Sequence, residues 1–435
     1  MTGCRTRLLA NKLRIVAVEM PHLHGAEIAL YVKVGGRDDP PGKEGLAHFL
    51  EHMLFRGTAE HPTAMELETA FEAIGGSVNA STDEESTCYF SRVHPDHVAT
   101  GIHLFSSMLL RPALTGIEIE KKIITEEALE DINENGEEIN THNLASKLLW
   151  PDHPLGAPTI GYLDTINAFT LDDLRGHLAR HYLPANSVIV VAGRVRAGDA
   201  FAACEEAFGG WAGAYNPEAN PPACRQVAPQ SLFVNDSDSQ VHLQVAFRSF
   251  ARLDPRIMAV RLIRRTLCGG GSSRLHLSLR EKLGIVYSVD ASISAYDETG
   301  SFAIELSTAP ENLVQAAREV LRETARLARE ELPADELKRV RQGYLFDLEY
   351  SRDSTYEMQV RYGWGELMGM VRSIEEDAAE AALVDGNLLR EAAAELFAPH
   401  NLNLVAVGPC EPGSEEELSA LLQKYRDHGP KFPDG

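Results

Sequence analysis

Little in this chain points towards a disulfide framework, a membrane or a nucleic acid. Cysteine is scarce: there are six in 435 residues, Cys4, Cys88, Cys204, Cys224, Cys268 and Cys410, with no paired spacing. Scattered thiols exclude a disulfide-stapled scaffold and suit a reducing compartment. Long apolar runs are lacking too. No stretch could span a bilayer, and the apolar run near Met1 is too short for a signal peptide, so the expected location is cytoplasmic. Positive charge is in deficit, with 41 Lys and Arg against 64 Asp and Glu and a net charge of −23. That balance repels phosphate backbones and anionic membrane surfaces, so neither nucleic acid nor membrane is an expected partner. It would attract cationic peptides.

What the chain does contain is His48-Phe49-Leu50-Glu51-His52. Residues three and four apart are neighbours on a helix, so His48 and His52 can share one metal ion with Glu51 beside it. Hydrolytic zinc sites take three protein ligands and leave a fourth position for water. That water needs a base, and Glu51 fits the role. The order His-x-x-Glu-His is the inverse of the common zinc-peptidase helix. Alone, the pentapeptide is also compatible with an ordinary core helix carrying polar residues on its outer face.

A third ligand is required, and Glu127 is the best candidate. It lies in a segment where Ile119, Ile123, Ile124, Leu129 and Ile132 recur at helical spacing, which predicts a buried apolar stripe. Glu120, seven residues earlier, projects from nearly the same face and could hold a ligand in place. Three sets of residues carry a resemblance to a known family: Gly45 to Thr58, the Glu120 and Glu127 pair, and Asp152 to Gly156 with Gly161. Together they make the chain resemble a pitrilysin-type (inverzincin, M16) zinc metallopeptidase, of the short-subunit group that includes the mitochondrial processing peptidase. The resemblance implies one zinc ion per chain on His48, His52 and Glu127, with Glu51 as base and Glu120 supporting the site.

The chain reads as two copies of one unit. Pro184-Ala-Asn186 followed by an apolar strand and Gly193 recurs as Pro399-His-Asn401 and Gly408, at an offset of 215; His94-Pro95 and Ala309-Pro310 repeat at the same offset. Such an offset argues for duplication of a whole domain. Strands are expected at 13–19, 26–34, 187–192, 240–248, 301–308 and 402–407, interspersed with amphipathic helices. The fold class is therefore α+β, with two homologous domains, each a largely antiparallel sheet packed with helices. The expected domains are 1–213, with the metal site, and 226–435, metal-free and substrate-binding. A linker rich in Pro, Gly and Asn spans 214–225.

Aligning Leu54 to Gly57 with Leu267 to Gly270 sets His48, Glu51 and His52 opposite Arg261, Arg264 and Arg265, and puts Glu127 near Gly343. Arginine does not shed its proton to ligate metal, so the second copy must contribute something else. Its most distinctive stretch runs from Gly269 to Tyr287. Leu275, Leu279 and Leu283 form a helical stripe there, and Gly284 ends the helix. Arg280 and Tyr287 then lie near one edge, where a helix-terminal cation and a half-buried tyrosine are the plain alternative. The family resemblance implies that this pair binds the substrate carbonyl and stabilises the oxyanion. In paired relatives it comes from a partner chain, which implies a homodimer, or a heterodimer with a related subunit. Gly75 to Ser81 resembles the family's edge strand for peptide substrates, with Asn79 and Ala80 as contacts; a Gly-Gly turn into an ordinary strand is the alternative. His177 with His181, His22 with His24 and His94 with His97 are expected to be surface histidines, and Asp152-His153 structural. The expected function is a zinc-dependent endopeptidase of unfolded peptides. The rivals are a non-catalytic structural subunit and a peptide-binding partner with vestigial metal.

Overall fold

The computed structural model describes residues 3–215, 220–222 and 226–432; Cys224 and most of the expected linker, at 216–219 and 223–225, lie outside the described residues. Two compact units emerge, and neither is contiguous in sequence. The first comprises Met1–Leu129, Ala157–Ala219 and Leu348–Ser373; the second comprises Glu130–Gly156, Asn220–Asp347 and Ile374–Gly435. Each unit therefore includes a segment from the opposite half of the chain, a feature with no counterpart in the boundaries expected from sequence.

The first unit holds strands β1 (Gly3–Leu8), β2 (Arg14–Glu19), β3 (Ala26–Val32), β4 (Asn79–Thr82), β5 (Thr87–Val93) and β6 (Ser187–Gly193). They form one sheet in the order β1-β2-β6-β3-β5-β4, antiparallel throughout except for the β2/β6 pair. Every residue of β3 and β6 is buried. A strand buried on both faces reads as a continuous apolar run, as Ser187-Val-Ile-Val-Val-Ala does. One face packs on helices through Ile28, Leu30, Ile189 and Val191. On the other side the Tyr31 hydroxyl donates to Gln359 (2.7 Å) and the Thr355 hydroxyl to Glu27 (2.9 Å), both on the borrowed segment. Gly363 is required there: a Cβ would stand 2.5 Å from Val190 Cγ1.

The second unit repeats this plan with β7 (Gln230–Val234), β8 (Val241–Ser249), β9 (Val286–Ala295), β10 (Gly300–Thr308) and β11 (Leu402–Val407). The order is β7-β11-β8-β10-β9, again with one parallel pair, β7/β11. Its borrowed helix Thr141–Leu149 packs Leu144, Ala145 and Leu149 against Ala246, Val405 and Val407. The duplication survives at the level of single hydrogen bonds. Asn186 Nδ2 donates to the carbonyls of Lys33 and His181, and Asn401 Nδ2 to those of Arg248 and Leu396, all four acceptors obeying the same offset of 215. Gly193 and Gly408 share a φ near +130° (131° and 136°), and in both a Cβ would strike a backbone carbonyl, at 2.4 and 2.5 Å.

Two sequence expectations fail here. The helix carrying Glu120 and Glu127, Ile117–Leu129, does not bury the isoleucine stripe: Ile119, Ile123 and Leu129 are 51, 46 and 43% exposed, and Ile132 lies beyond the helix end. The buried row is Glu120, Ile124 and Ala128, at i, i+4 and i+8, so the helix leans inward on a face that includes a carboxylate. The second failure is at Leu283. Residues His276–Lys282 form a π-helical turn, with Leu283 N–H bonded to Ser278 O, so the wider turn swings Leu283 outward while Leu275 and Leu279 stay buried.

Candidate metal centre

The motif His48 to His52 sits on the helix Leu46–Leu54, whose start is tightly specified. Gly45 has φ +95°, and a Cβ there would lie 2.3 Å from the Ile160 carbonyl, so only glycine fits. The Asp39 carboxylate accepts from the N–H groups of Gly45 (2.8 Å) and Ala47 (2.9 Å), tying down the first turn. Burial pushes the Asp39 carboxyl up to about 8 despite those donors. Leu46, Phe49, Leu50, Met53 and Leu54 face the core, which turns His48 and His52 to the opposite side with ring centroids 4.7 Å apart.

The helix Ile117–Leu129 brings its two acids up to these rings. Glu127 Oε1 lies 3.7 Å from His48 Nε2, and Glu127 Oε2 lies 3.6 Å from His52 Nε2. The donor atoms of His48, His52 and Glu127 all fall within 4.8 Å of one another, the only such metal-holding group of three among the described residues. The spacing fits an ion better than direct bonding. At 3.6 to 3.7 Å the groups are too far apart for hydrogen bonds, whereas N and O donors set tetrahedrally about one zinc ion stand roughly 3.3 Å apart. Glu120 is buried beneath them. Its Oε2 meets His52 Nδ1 at 3.3 Å and its Oε1 meets Arg56 Nη1 at 3.1 Å. The Nδ1 of His48, by contrast, is buried with no hydrogen-bond partner.

Electrostatics separates the two imidazoles. Burial, with His52 alongside, pushes His48 down to about 3, so its ring is neutral with a lone pair free for a metal. Burial works the same way on His52, but the Glu120 hydrogen bond and the charges of Glu51, Glu127 and Glu120 outweigh it and raise the group. Glu51 is buried and makes no ion pair with either ring; its Oε2 accepts from the Thr82 hydroxyl on β4. Burial raises this carboxyl, against the lowering effects of Thr82 and His52. A carboxylate raised by burial is suited to taking and returning a proton near neutral pH.

β4 is an edge of its sheet, paired on one side only, with Asn79 opposite Phe90 and Ala80 opposite Tyr89. Asn79 is exposed and Ala80 half-buried. In the second unit, Arg280 lies on the π-helical turn and Tyr287 on β9, the corresponding edge strand. The guanidinium carbon stands 5.4 Å from the Tyr287 ring centroid, and Tyr287 is 83% exposed, not half-buried. The counterparts of the metal motif lie on the helix Ile257–Cys268. Arg265 pairs with Asp347, and its guanidinium covers Gly343, where a Cβ would come within 2.5 Å of Nη2. Arg264 reaches the Ala291 carbonyl on β9, just as Glu51 reaches Thr82 on β4.

Three contributors escaped the sequence reading: Asp39, Arg56 and Thr82. Arg56 had a signal, since it follows His52 by four residues and Glu120 needed a cation. Asp39 and Thr82 act across chain separations that carry no pattern. One expectation is corrected. His177 is a buried core residue, its ring 4.6 Å from that of His181, and burial pushes it down to about 3. Its helix, Leu171–His181, packs on the motif helix, which covers the face expected to meet solvent.

No helix among the described residues is long and apolar enough to cross a membrane. Residues 14–162 match the family model described as insulinase (peptidase family M16), and residues 168–344 match the peptidase M16 inactive domain. A protein of Streptomyces coelicolor named as an uncharacterized zinc protease is 29% identical over 427 residues, covering 95% of this chain and 91% of its own. One of Rickettsia bellii with the same description is 32% identical over 337 residues, covering 77% and 80%. The crystal structure of a protease from Helicobacter pylori superposes with a TM-score of 0.85 at 20% identity, covering 94% of this chain and all of that one (100%). With both halves matched in order and a relative above 30% identity aligned over most of its length, this chain belongs to the M16 family of peptidases.

Proposed function

We propose that the protein is a zinc-dependent endopeptidase acting on unfolded peptides or short protein segments. The observation that carries the reading is the convergence of His48 Nε2, His52 Nε2 and both Glu127 oxygens, with Glu51 buried beside them yet paired to neither ring. His48, His52 and Glu127 would hold zinc, which supplies Lewis acidity to the attacking water and the scissile carbonyl. Glu51 takes the proton of the water at its carboxylate and returns it to the leaving amine nitrogen. Thr82 fixes the carboxylate through Oε2, leaving Oε1 for that exchange. The open side of β4 suits strand addition, in which an extended peptide pairs through its backbone beside Asn79 and Ala80. Loose sequence preference follows, because backbone pairing reads shape. The names of the Streptomyces and Rickettsia relatives support the same chemistry.

Arg280 and Tyr287 are the proposed donors to the oxyanion that forms on the scissile carbonyl, supplied by a partner copy in a homodimer. Their mutual approach and the exposure of the phenol support a joint role. The test pairs metal analysis with cleavage of an unstructured peptide by wild type and by Glu51→Gln. Near one zinc per chain in both, with cleavage lost only in the variant, is the expected result. Undiminished cleavage by Glu51→Gln would sink the mechanism.

A further inference from the structure

We propose that the second unit carries a binding site for a small phosphorylated molecule, independent of the metal centre. A cavity of about 390 Å³ is bounded by the π-helical turn His276–Lys282, the helix Leu313–Arg329 and the start of the helix Ala334–Tyr350. That volume lies within the roughly 300 to 1,000 Å³ of small-molecule sites. Its charge runs against the chain. Five of the twelve lining residues are Lys or Arg and three are acidic, whereas the whole chain has 41 basic residues against 64 acidic.

Two of the three acids, Glu323 and Glu336, pair with arginines of the wall, and the third, Asp335, is exposed. Arg274, with only a tenth of its side chain exposed, forks onto Glu336 through two bonds of 2.9 Å. Its Nη1 is buried without a hydrogen-bond partner, standing 3.7 Å from Glu323 Oε2, which is likewise buried and unbonded. A buried guanidinium donor that meets its carboxylate only at ion-pair distance has hydrogen-bonding capacity left for an oxygen in the cavity. At the rim, Lys282 and Arg339 are exposed, and neither has a hydrogen-bond or ion-pair partner among the described residues. Arg326 joins them, paired with Glu330 at 3.1 Å and with Glu323 at 3.9 Å. One preorganised guanidinium below and three cations around the mouth match the several oxygens of a phosphate ester. A divalent cation would find Glu323 and Glu336 already engaged by arginine.

The test is calorimetric titration of the intact protein with fructose 1,6-bisphosphate at about 0.15 M ionic strength, where diffuse attraction is screened. The bisphosphate is chosen because it strips metal poorly. Saturable one-to-one binding is expected, weakened roughly tenfold or more in the double variant Lys282→Ala/Arg339→Ala, whose sites are exposed and spare the fold. A charge-matched control in the first unit, Lys12→Ala/Arg180→Ala, should leave the affinity unchanged. Absence of saturation up to concentrations on the order of 5 mM overturns the proposal. So does equal weakening by the control pair, which would mark diffuse counterion attraction. Tricarballylate binding as tightly as the bisphosphate would assign the cavity to carboxylates and overturn the phosphate assignment.

Discussion

Replacing Glu120 by Gln should weaken zinc binding without touching a ligand atom. The carboxylate spans two groups, His52 Nδ1 at 3.3 Å and Arg56 Nη1 at 3.1 Å, and only 4% of the residue is exposed. The amide keeps the size and one acceptor oxygen but loses the charge that fixes the His52 tautomer and raises the basicity of its Nε2. Loss of a partner of this kind typically costs about 10- to 100-fold in metal affinity, or roughly 1.4 to 2.7 kcal/mol. Arg56 compounds the effect, because its guanidinium loses the carboxylate it meets at 3.1 Å while its Nε is already buried without a hydrogen-bond partner among the described residues. Competition against a chromogenic zinc chelator at neutral pH measures the change. Glu126→Gln, an exposed site on the same helix, controls for the loss of one negative charge near the metal. Wild-type affinity within twofold for Glu120→Gln, or equal weakening by Glu126→Gln, would refute the reasoning, since both remove the same charge but only one touches His52.

Four further outcomes follow from the same geometry. His177 is 4% exposed and pushed down to about 3, below the roughly 6.5 of an unfolded histidine, so the unfolded chain binds more protons below that pH; stability is full above it and falls towards pH 3, by about 2 kcal/mol at pH 5. Denaturant midpoints at pH 7 and pH 5 should therefore differ less in His177→Gln than in wild type, and identical differences would remove His177 as the source. Gly45→Ala combines a φ of +95° with a Cβ 2.3 Å from the Ile160 carbonyl, so thermal denaturation should show a loss of at least about 2 kcal/mol, together with weaker zinc binding. Chelating the metal should speed amide exchange in Ile117–Leu129 while leaving Ala334–Tyr350 unchanged, because only the first pair of helices shares a metal-holding group. Mixing Glu51→Gln chains with Arg280→Ala chains should restore part of the cleavage that neither shows alone, and no restoration would argue against completion by a partner copy.

The secondary structure was legible wherever a run of one periodicity decided it. All six expected strands occur, with boundaries moved by two residues at most, because their apolar runs pair deep inside a sheet. Helical spacing set His48 beside His52 and Glu120 in line with Glu127, whereas the approach of Glu127 to the two rings was what the family resemblance implied. The exposure of the isoleucine stripe of Ile117–Leu129 could not be anticipated, because periodicity reports an apolar face without saying which face the neighbouring helix demands; here the Glu120 face took the inside. The exchanged segments, 348–373 in the first unit and 130–156 in the second, left no sequence signal either. Thr82 and Asp39 belong to the same class of silent contributor, a single hydrogen-bonding group whose partner is chosen by the fold.

Corresponding positions of the two units are filled differently, by a candidate metal-holding group in the first and by an ion pair in the second. In both, a helix from the first part of the repeat crosses a later helix and needs something at the crossing. His48, His52 and Glu127 meet that need in the first unit; Arg265 and Asp347 meet it in the second, with the guanidinium lying over Gly343, in the region where Glu127 has its side chain. The exchange is coupled, since a Cβ at 343 would collide with Arg265 and a histidine at 265 would face no carboxylate from 343. No single substitution can therefore return the second unit to metal binding. Arg264 follows the same logic, holding the Ala291 carbonyl of β9 where Glu51 holds Thr82 of β4. Both units thus join this helix to their edge strand, one through a carboxylate that accepts and the other through a guanidinium that donates. An exposed ion pair contributes no more than about 1 kcal/mol, so the second unit relies on its apolar core rather than on this crossing.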